Sequence, residues 1–336
     1  MKTLISLFAL FLSLTLTAQT NPATWYLNDA NGNGIQSPTN TASGDFSTAM
    51  GSDTTASGDV STSMGYQTEA NGDDSTAMGW KTTASGRAST TMGLHTTASG
   101  DASTAMGSFT TASGSVSVAM GNETIASGNA STSMGRDTSA SGYASTAMGS
   151  YTTASGTYST AMGLFTKAED YMTVALGVHN KSGETPNPNE FSFQNTAFVI
   201  GNGGFANDGS YIGTPESYSN AFEVLFDGTT TIAGDLNVNS DARLKANIVS
   251  LGATLSKLLQ IDGKSYTMKK DESEKQKIGL LAQDIEKVFP ELVSESHGVK
   301  SVNYQGLVPV LINALKEQQS EIDELKTMLK AIIEKT

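Results

Sequence analysis

The sequence predicts a mainly β protein: a parallel β-solenoid of 14-residue repeats, a β-rich neck, then a small α+β unit ending in a long coiled-coil helix. Three observations predict it. Methionine recurs at 50, 64, 78, 92, 106, 120, 134, 148 and 162, and Leu176 continues the series. Beyond Ser240 the composition changes from Gly/Ser/Thr to Leu/Ile/Lys/Glu. The last stretch carries apolar residues at 3-4 spacing, with Val308, Leu315, Ile322 and Leu329 at a, and Tyr304, Leu311, Gln318, Leu325 and Ile332 at d.

Residues 1–18 have a signal peptide's layout, with Lys2 before an apolar run from Leu4 to Leu16 and the small Ala18 before Gln19, so cleavage is expected there. The run is too short for a permanent membrane anchor and no later segment is a transmembrane helix, so the mature chain is expected to be secreted or held at the cell surface. Residues 19–40 read as an N-terminal linker or cap. Within them D-A-N-G-N-G, Asp29 to Gly34, opens like an EF-hand loop, but its twelfth position is Asn40 rather than a bidentate Glu, so a polar turn is expected and no metal site.

Over 41–180 the unit reads T-A-S-G-x-x-S-T-A-M-G-x-x-T. Fourteen residues are too few for two helices and a turn, and two glycines per period would each cost a helix about 1 kcal/mol. Two short strands joined by glycine turns fit instead. Coils stacked about 4.8 Å apart make ten repeats a rod of roughly 50 Å. Alternation places Ala and Met on opposite strand faces, so the Met column either fills the coil or packs between parallel copies. Register-locked Thr also allows an ice-binding face, but the neighbouring positions vary from Asp53 through Lys81 to Phe109 and Tyr151, as solvated turn tips do.

From 181 to 239 the repeat stops. The runs AFVIGNG at 197, AFEVLF at 221 and TTTIAGDLNV at 229 read as strands of the neck. The G-N-G-G at 201 is too short for a dinucleotide fingerprint, and no cofactor is expected. In IGLLAQDIEKVFPELV, 278–293, Leu281, Ile285, Val288 and Phe289 mark one face of a helix stopped near Pro290.

Charge and composition exclude several classes. The formal charge is −13, while the part from Ser240 onward holds 14 basic and 14 acidic residues, so the excess acid lies upstream and argues against nucleic acid or anionic lipid as a partner. With no cysteine, an exported chain must be stabilised by packing, repetition or oligomerisation.

On its A-x-G, x-x-S and x-A-M-G rhythm, the segment from about Thr41 to Asn180 resembles the head repeats of trimeric autotransporter adhesins. That resemblance implies a left-handed β-roll, a homotrimer, and adhesion to an extracellular-matrix, cell-surface or glycan ligand. The motifs S-D-A-R-L-K, G-L-L-A-Q-D-I-E-K-V-F-P-E-L-V and V-N-Y-Q-G-L-V-P-V-L-I-N-A-L-K-E-Q-Q, in that order over 240–336, resemble the intramolecular chaperone autopeptidase of endosialidase tailspikes. That second resemblance implies assembly of a trimeric fibre followed by single-turnover self-cleavage, with nucleophile Ser240, base Lys245 and scissile bond Asn239–Ser240.

Residue chemistry permits those roles. A serine after the scissile bond can attack the preceding carbonyl if a base takes its proton. Lysine serves as that base only when neutral, which for a group of reference pKa about 10.4 requires burial or a neighbouring positive charge, and Arg243 is a candidate. Five residues apart, the two side chains diverge by about 140° on a helix and lie on opposite faces of a strand, so they meet only across a turn or between subunits. Asp241 either caps the following segment or orients Lys245, and His297 reads as a surface loop residue. Two alternatives remain: a structural shaft with a trimerisation clamp that never cuts, and a tailspike-like polysaccharide-degrading head. The second lacks consistently paired carboxylates among Asp45, Asp59, Glu69, Asp73, Asp74, Asp101 and Glu123.

Overall fold

A computed structural model describes residues 26–27, 35–36, 39–183, 187–204, 214, 217–269 and 275–334. The signal peptide and the Asp29–Gly34 turn lie outside the described residues. The chain divides into two compact units, one ending at Leu236 and the other spanning Asn237–Thr336.

The first unit is a parallel β-solenoid whose coils repeat in exact 14-residue register, Met92 pairing with Met106 and Ala98 with Ala112. Each coil contributes a five-residue strand such as Thr104–Ser108 to a long sheet and a two-residue strand such as Thr111–Ala112 to a short one. The interior holds only small side chains: the Ala columns at 49 and 56, a Ser column at 47 and a Thr column at 54, each recurring by 14 and almost fully buried. Where Ser63 and Ser133 replace Ala, their hydroxyls meet Thr68 Oγ1 and Thr138 Oγ1 at 2.7 Å across the coil.

The methionines therefore do not fill the coil. Ala49 points inward and Met50, the next residue along the pleat, points out, leaving Met64 at 38% and Met92 at 40% exposure on the outer face of the long sheet. Interior width decides this, since two strand walls this close admit Ala and Ser but not a thioether chain.

Glycine opens one turn of each coil, the Gly44 carbonyl accepting from Ser47 N–H, but it does not supply the left-handed corners. The corner residues in left-handed conformation are non-glycine at every coil, such as Phe46, Asp53, Val60 and Gln67 with φ of 57°, 56°, 57° and 51°. Glycine is needed instead for close approach between coils: a Cβ on Gly100 would stand 2.0 Å from the Gly114 carbonyl oxygen. Several corners also carry rings that stack between coils, as His95 on Phe109 and Tyr151 on Phe165, at 5.1 and 4.5 Å between centroids.

Both solenoid ends are closed by asparagine. In the Thr column, position 40 is Asn40, whose amide accepts from Thr54 N–H and donates to Gly51 C=O. Position 180 is Asn180, which accepts from Lys167 N–H at 2.7 Å and donates to its C=O at 2.9 Å. Each amide supplies the backbone bonds a further coil would make. Asp170 occupies the next place in the Gly44 series, and its carboxylate accepts from Asn187 N–H and Thr196 N–H, diverting the chain out of the repeat. Strand Thr196–Asn202 still extends the long sheet in parallel, followed by antiparallel Asn220–Leu225 and Thr230–Ile232.

The second unit packs helices α1 (Leu255–Leu258), α2 (Ala282–Val288) and α3 (Leu307–Ile333) with two short hairpins, 264–266 with 277–279 and 293–296 with 299–302. Its core joins Ile285, Phe289 and Val310, with Leu258, Ile261, Leu280 and Leu292 against them. Leu281 precedes α2 rather than lying on its buried face, because Lys277–Gly279 is a strand and the helix starts only at Ala282. The long helix likewise starts at Leu307. Tyr304–Gly306 is a 3₁₀ turn in which Asn303 accepts from Gly306 N–H, and Tyr304 OH accepts from Leu280 N–H at 2.9 Å. Pro309 sits in the first helical turn, where its missing N–H has no intrahelical acceptor to lose.

Candidate active site

Ser240 and Lys245 flank a single 3₁₀ turn, Ala242–Leu244. Asp241 accepts Arg243 N–H at 2.9 Å and so caps this turn, while Lys245 N–H closes it on Ala242 C=O. Reversal of the chain brings Lys245 Nζ to 2.7 Å from Ser240 Oγ within one chain. Nζ is within proton-transfer distance of the hydroxyl adjoining the Asn239 carbonyl.

Asp241 does not contact Lys245. Its carboxylate holds the Arg243 guanidinium in a fork, with Nε at 3.1 Å from both oxygens and Nη2 at 2.6 Å from Oδ2. The Arg243 side chain and backbone N–H hold the Asp241 carboxyl below its ordinary range, and the carboxylate raises Arg243. Arg243 is thus held by its own counterion and does not stand as a bare positive neighbour of Lys245. Asn239, Ser240 and Lys245 are all exposed on their own chain, as are Leu244 within the turn and Ile248, Val249 and Leu251 just beyond it.

His297 lies at a hairpin tip with φ 49°, its Nδ1 2.9 Å from Ser296 Oγ, apart from the serine–lysine turn in sequence and contacts. Among the described residues no three His, Asp or Glu side chains are grouped to hold a metal ion.

Residues 240–294 match the chaperone of endosialidase family. The chaperone of endosialidase match begins at Ser240 itself. Upstream, YadA head domain repeats match in successive two-copy windows from 42–68 to 154–179, over the coils described above. Among curated proteins, this chain is similar to the long tail fiber protein Gp37 of Enterobacteria phage M1, 36% identical over 32% of this chain and 49% of that protein. It is also similar to the Gp37 of Enterobacteria phage Ox2, 35% identical over 32% and 48%, and to that of Salmonella phage S16, 35% identical over 29% and 14%. The aligned part thus spans half or less of each of these relatives.

The sequence named Ser240 and Lys245, and the turn is what brings them together within one chain. The capping role of Asp241 was one of two readings, and only the turn distinguishes them. Glu317 was missed altogether: its carboxylate accepts from Thr254 N–H and Leu255 N–H at the start of α1, tying that helix to α3 across 62 residues, and no sequence signal links the two.

Proposed function

We propose that this chain is an exported homotrimeric fibre protein of adhesin-like type, whose C-terminal unit drives assembly and then releases itself by cutting Asn239–Ser240. The observation that carries the reading is the 2.7 Å approach of Lys245 Nζ to Ser240 Oγ at the first residue of the chaperone of endosialidase match. Similarity to phage long tail fibers and to YadA head repeats supports a fibre at a cell or particle surface.

In the proposed step, Lys245, desolvated to its neutral form where the assembled trimer covers this exposed segment, takes the Ser240 hydroxyl proton as Oγ bonds to the Asn239 carbonyl carbon. The tetrahedral intermediate collapses by breaking the C–N bond, and the Ser240 amine receives a proton from the Lys245 ammonium. An ester joins Asn239 to Oγ until water hydrolyses it, leaving a carboxylate on Asn239 and a free amine and hydroxyl on Ser240.

Assembly is supported by two unpartnered apolar faces. Beyond Glu317 the described residues of α3 are all exposed on their own chain, and Leu315 and Leu325 are 67% and 63% exposed along the heptad seam. In the solenoid, the Met column lines the outer face of the long sheet. Three copies meeting along both would cover them. A repetitive shaft cannot fix its own register, because slipping by one coil keeps most contacts, whereas the coiled coil sets it. Cleavage afterwards removes the part that made assembly reversible and leaves the trimer kinetically trapped.

Intact mass and denaturing gels of the full chain test this. Release of a fragment beginning at Ser240, abolished in Ser240→Ala and Lys245→Ala, is expected. Uncut chain in well-folded trimers would reduce the C-terminal unit to a trimerisation clamp.

A further inference from the structure

Resting on that reading of the site, we infer that Asp241 is the positioning residue of the serine–lysine pair: by capping the Ala242–Leu244 turn it sets the reach of Lys245 to Ser240. Two side chains five residues apart converge only if the intervening backbone reverses within one turn. That reversal has few supports. Residues 237–253 are exposed and belong to no longer helix or strand. The turn itself closes on two backbone bonds, Leu244 N–H to Asp241 C=O and Lys245 N–H to Ala242 C=O, both 3.1 Å. The one side chain that fixes it is Asp241, whose Oδ1 accepts Arg243 N–H at 2.9 Å, as the cap of a helical turn does.

The Arg243 fork serves the cap rather than the lysine. Gripping both carboxylate oxygens fixes the Asp241 rotamer in which Oδ1 faces the turn. The same grip keeps the carboxylate ionised under mildly acidic conditions, so the cap outlasts an ordinary aspartate as pH falls. It also holds the guanidinium on Asp241 instead of on the Ser240 hydroxyl. An uncapped segment would sample extended states in which Ser240 and Lys245 point apart.

Two readouts in the full chain test this. The first is the rate of fragment release. Asp241→Ala should slow it tenfold or more without altering assembly, whereas Asp241→Asn, whose amide oxygen can still accept Arg243 N–H, should stay within about threefold of wild type. The second is competitive acetylation of Lys245 against Lys257, read by peptide mass spectrometry, which reports the contact whether or not cleavage occurs. Asp241→Ala should raise Lys245 labelling to the level seen in Ser240→Ala, and Asp241→Asn should not. A wild-type chain that never cuts overturns the proposed function, while the labelling still decides the role of Asp241. Wild-type labelling in Asp241→Ala, or Asp241→Asn behaving like Asp241→Ala in folded trimers, overturns the inference.

Discussion

At Gly107 the requirement for a single residue type is absolute in steric terms. Its φ is +121°, outside the reach of ordinary side chains, and an added Cβ would lie 2.0 Å from the Gly121 carbonyl oxygen. Neither partner is a flexible side chain that could give way. Gly107→Ala should therefore destabilise the solenoid by about 3 kcal/mol or more, combining backbone strain with overpacking. Ser113→Ala, at an exposed position of the same coil, should stay within about 0.5 kcal/mol, and chemical denaturation of the two variants checks the contrast. Corner residues obey a milder rule. Val116 has φ 59° and is 64% exposed, a β-branched residue in a left-handed corner, whereas Asp59 and Asn129, each one residue before its corner, accept the Asp45 and Ser115 N–H of the preceding coil.

At the scale of elements, the end of the solenoid is its most chemically distinctive part. His179 is fully buried, its ring stacked on Phe165 at 4.4 Å and tilted against Tyr218 at 4.8 Å. Gly204 approaches it so closely that a Cβ would meet the imidazole at 2.2 Å. Burial lowers its pKa below the ordinary 6.5. The unfolded chain consequently takes up the proton first as pH falls, so stability present above about pH 6.5 is lost as pH drops through that value toward the folded one. The melting temperature of the first unit should decline from pH 7 to pH 5, and His179→Phe, which keeps the ring contacts, should flatten that decline. An unchanged slope in His179→Phe would assign the acid sensitivity to other groups.

For the whole molecule, the proposed trimer rests on surfaces that one chain leaves open. Leu307, Val310 and Ala314 of α3 are buried on their own unit, while Val308, Leu311 and Leu315 on the same turns face outward and the seam continues through Ile322, Leu325, Leu329 and Ile332. Burying each such Leu or Ile is worth about 1.5–3 kcal/mol. Replacing both Ile322 and Leu325 by Lys should abolish trimers at micromolar concentration in sedimentation analysis, leaving the core around Ile285 and Phe289 intact. If assembly precedes cutting, the same variant should release no fragment, and efficient release from a monomer would separate the two activities.

The sequence by itself determined the parallel 14-residue coil, its extent from about Thr41, the change of character at Ser240 and the residues proposed to do chemistry there. Those features follow from periodicity, which repeats the same local constraint until it is unmistakable, and from motifs carried by neighbouring residues. Tertiary structure decided which side of the strand is inside. Alternation divides Ala from Met but assigns neither to the interior, and only the narrow separation of the coil walls sends Met50 and its successors outward. It likewise decided that glycine is required for coil-to-coil approach and not at the left-handed corners, because the clash involves an atom 14 residues away. The start of α3 at Leu307 and the Glu317 cap on α1 depend on contacts remote in sequence, from Tyr304 to Leu280 and from Glu317 to Thr254. At the site, the sequence named Ser240, Asp241, Arg243 and Lys245, and the turn assigned Arg243 to Asp241 and Lys245 to Ser240, since a choice among partners a few residues apart is made by backbone direction and not by composition.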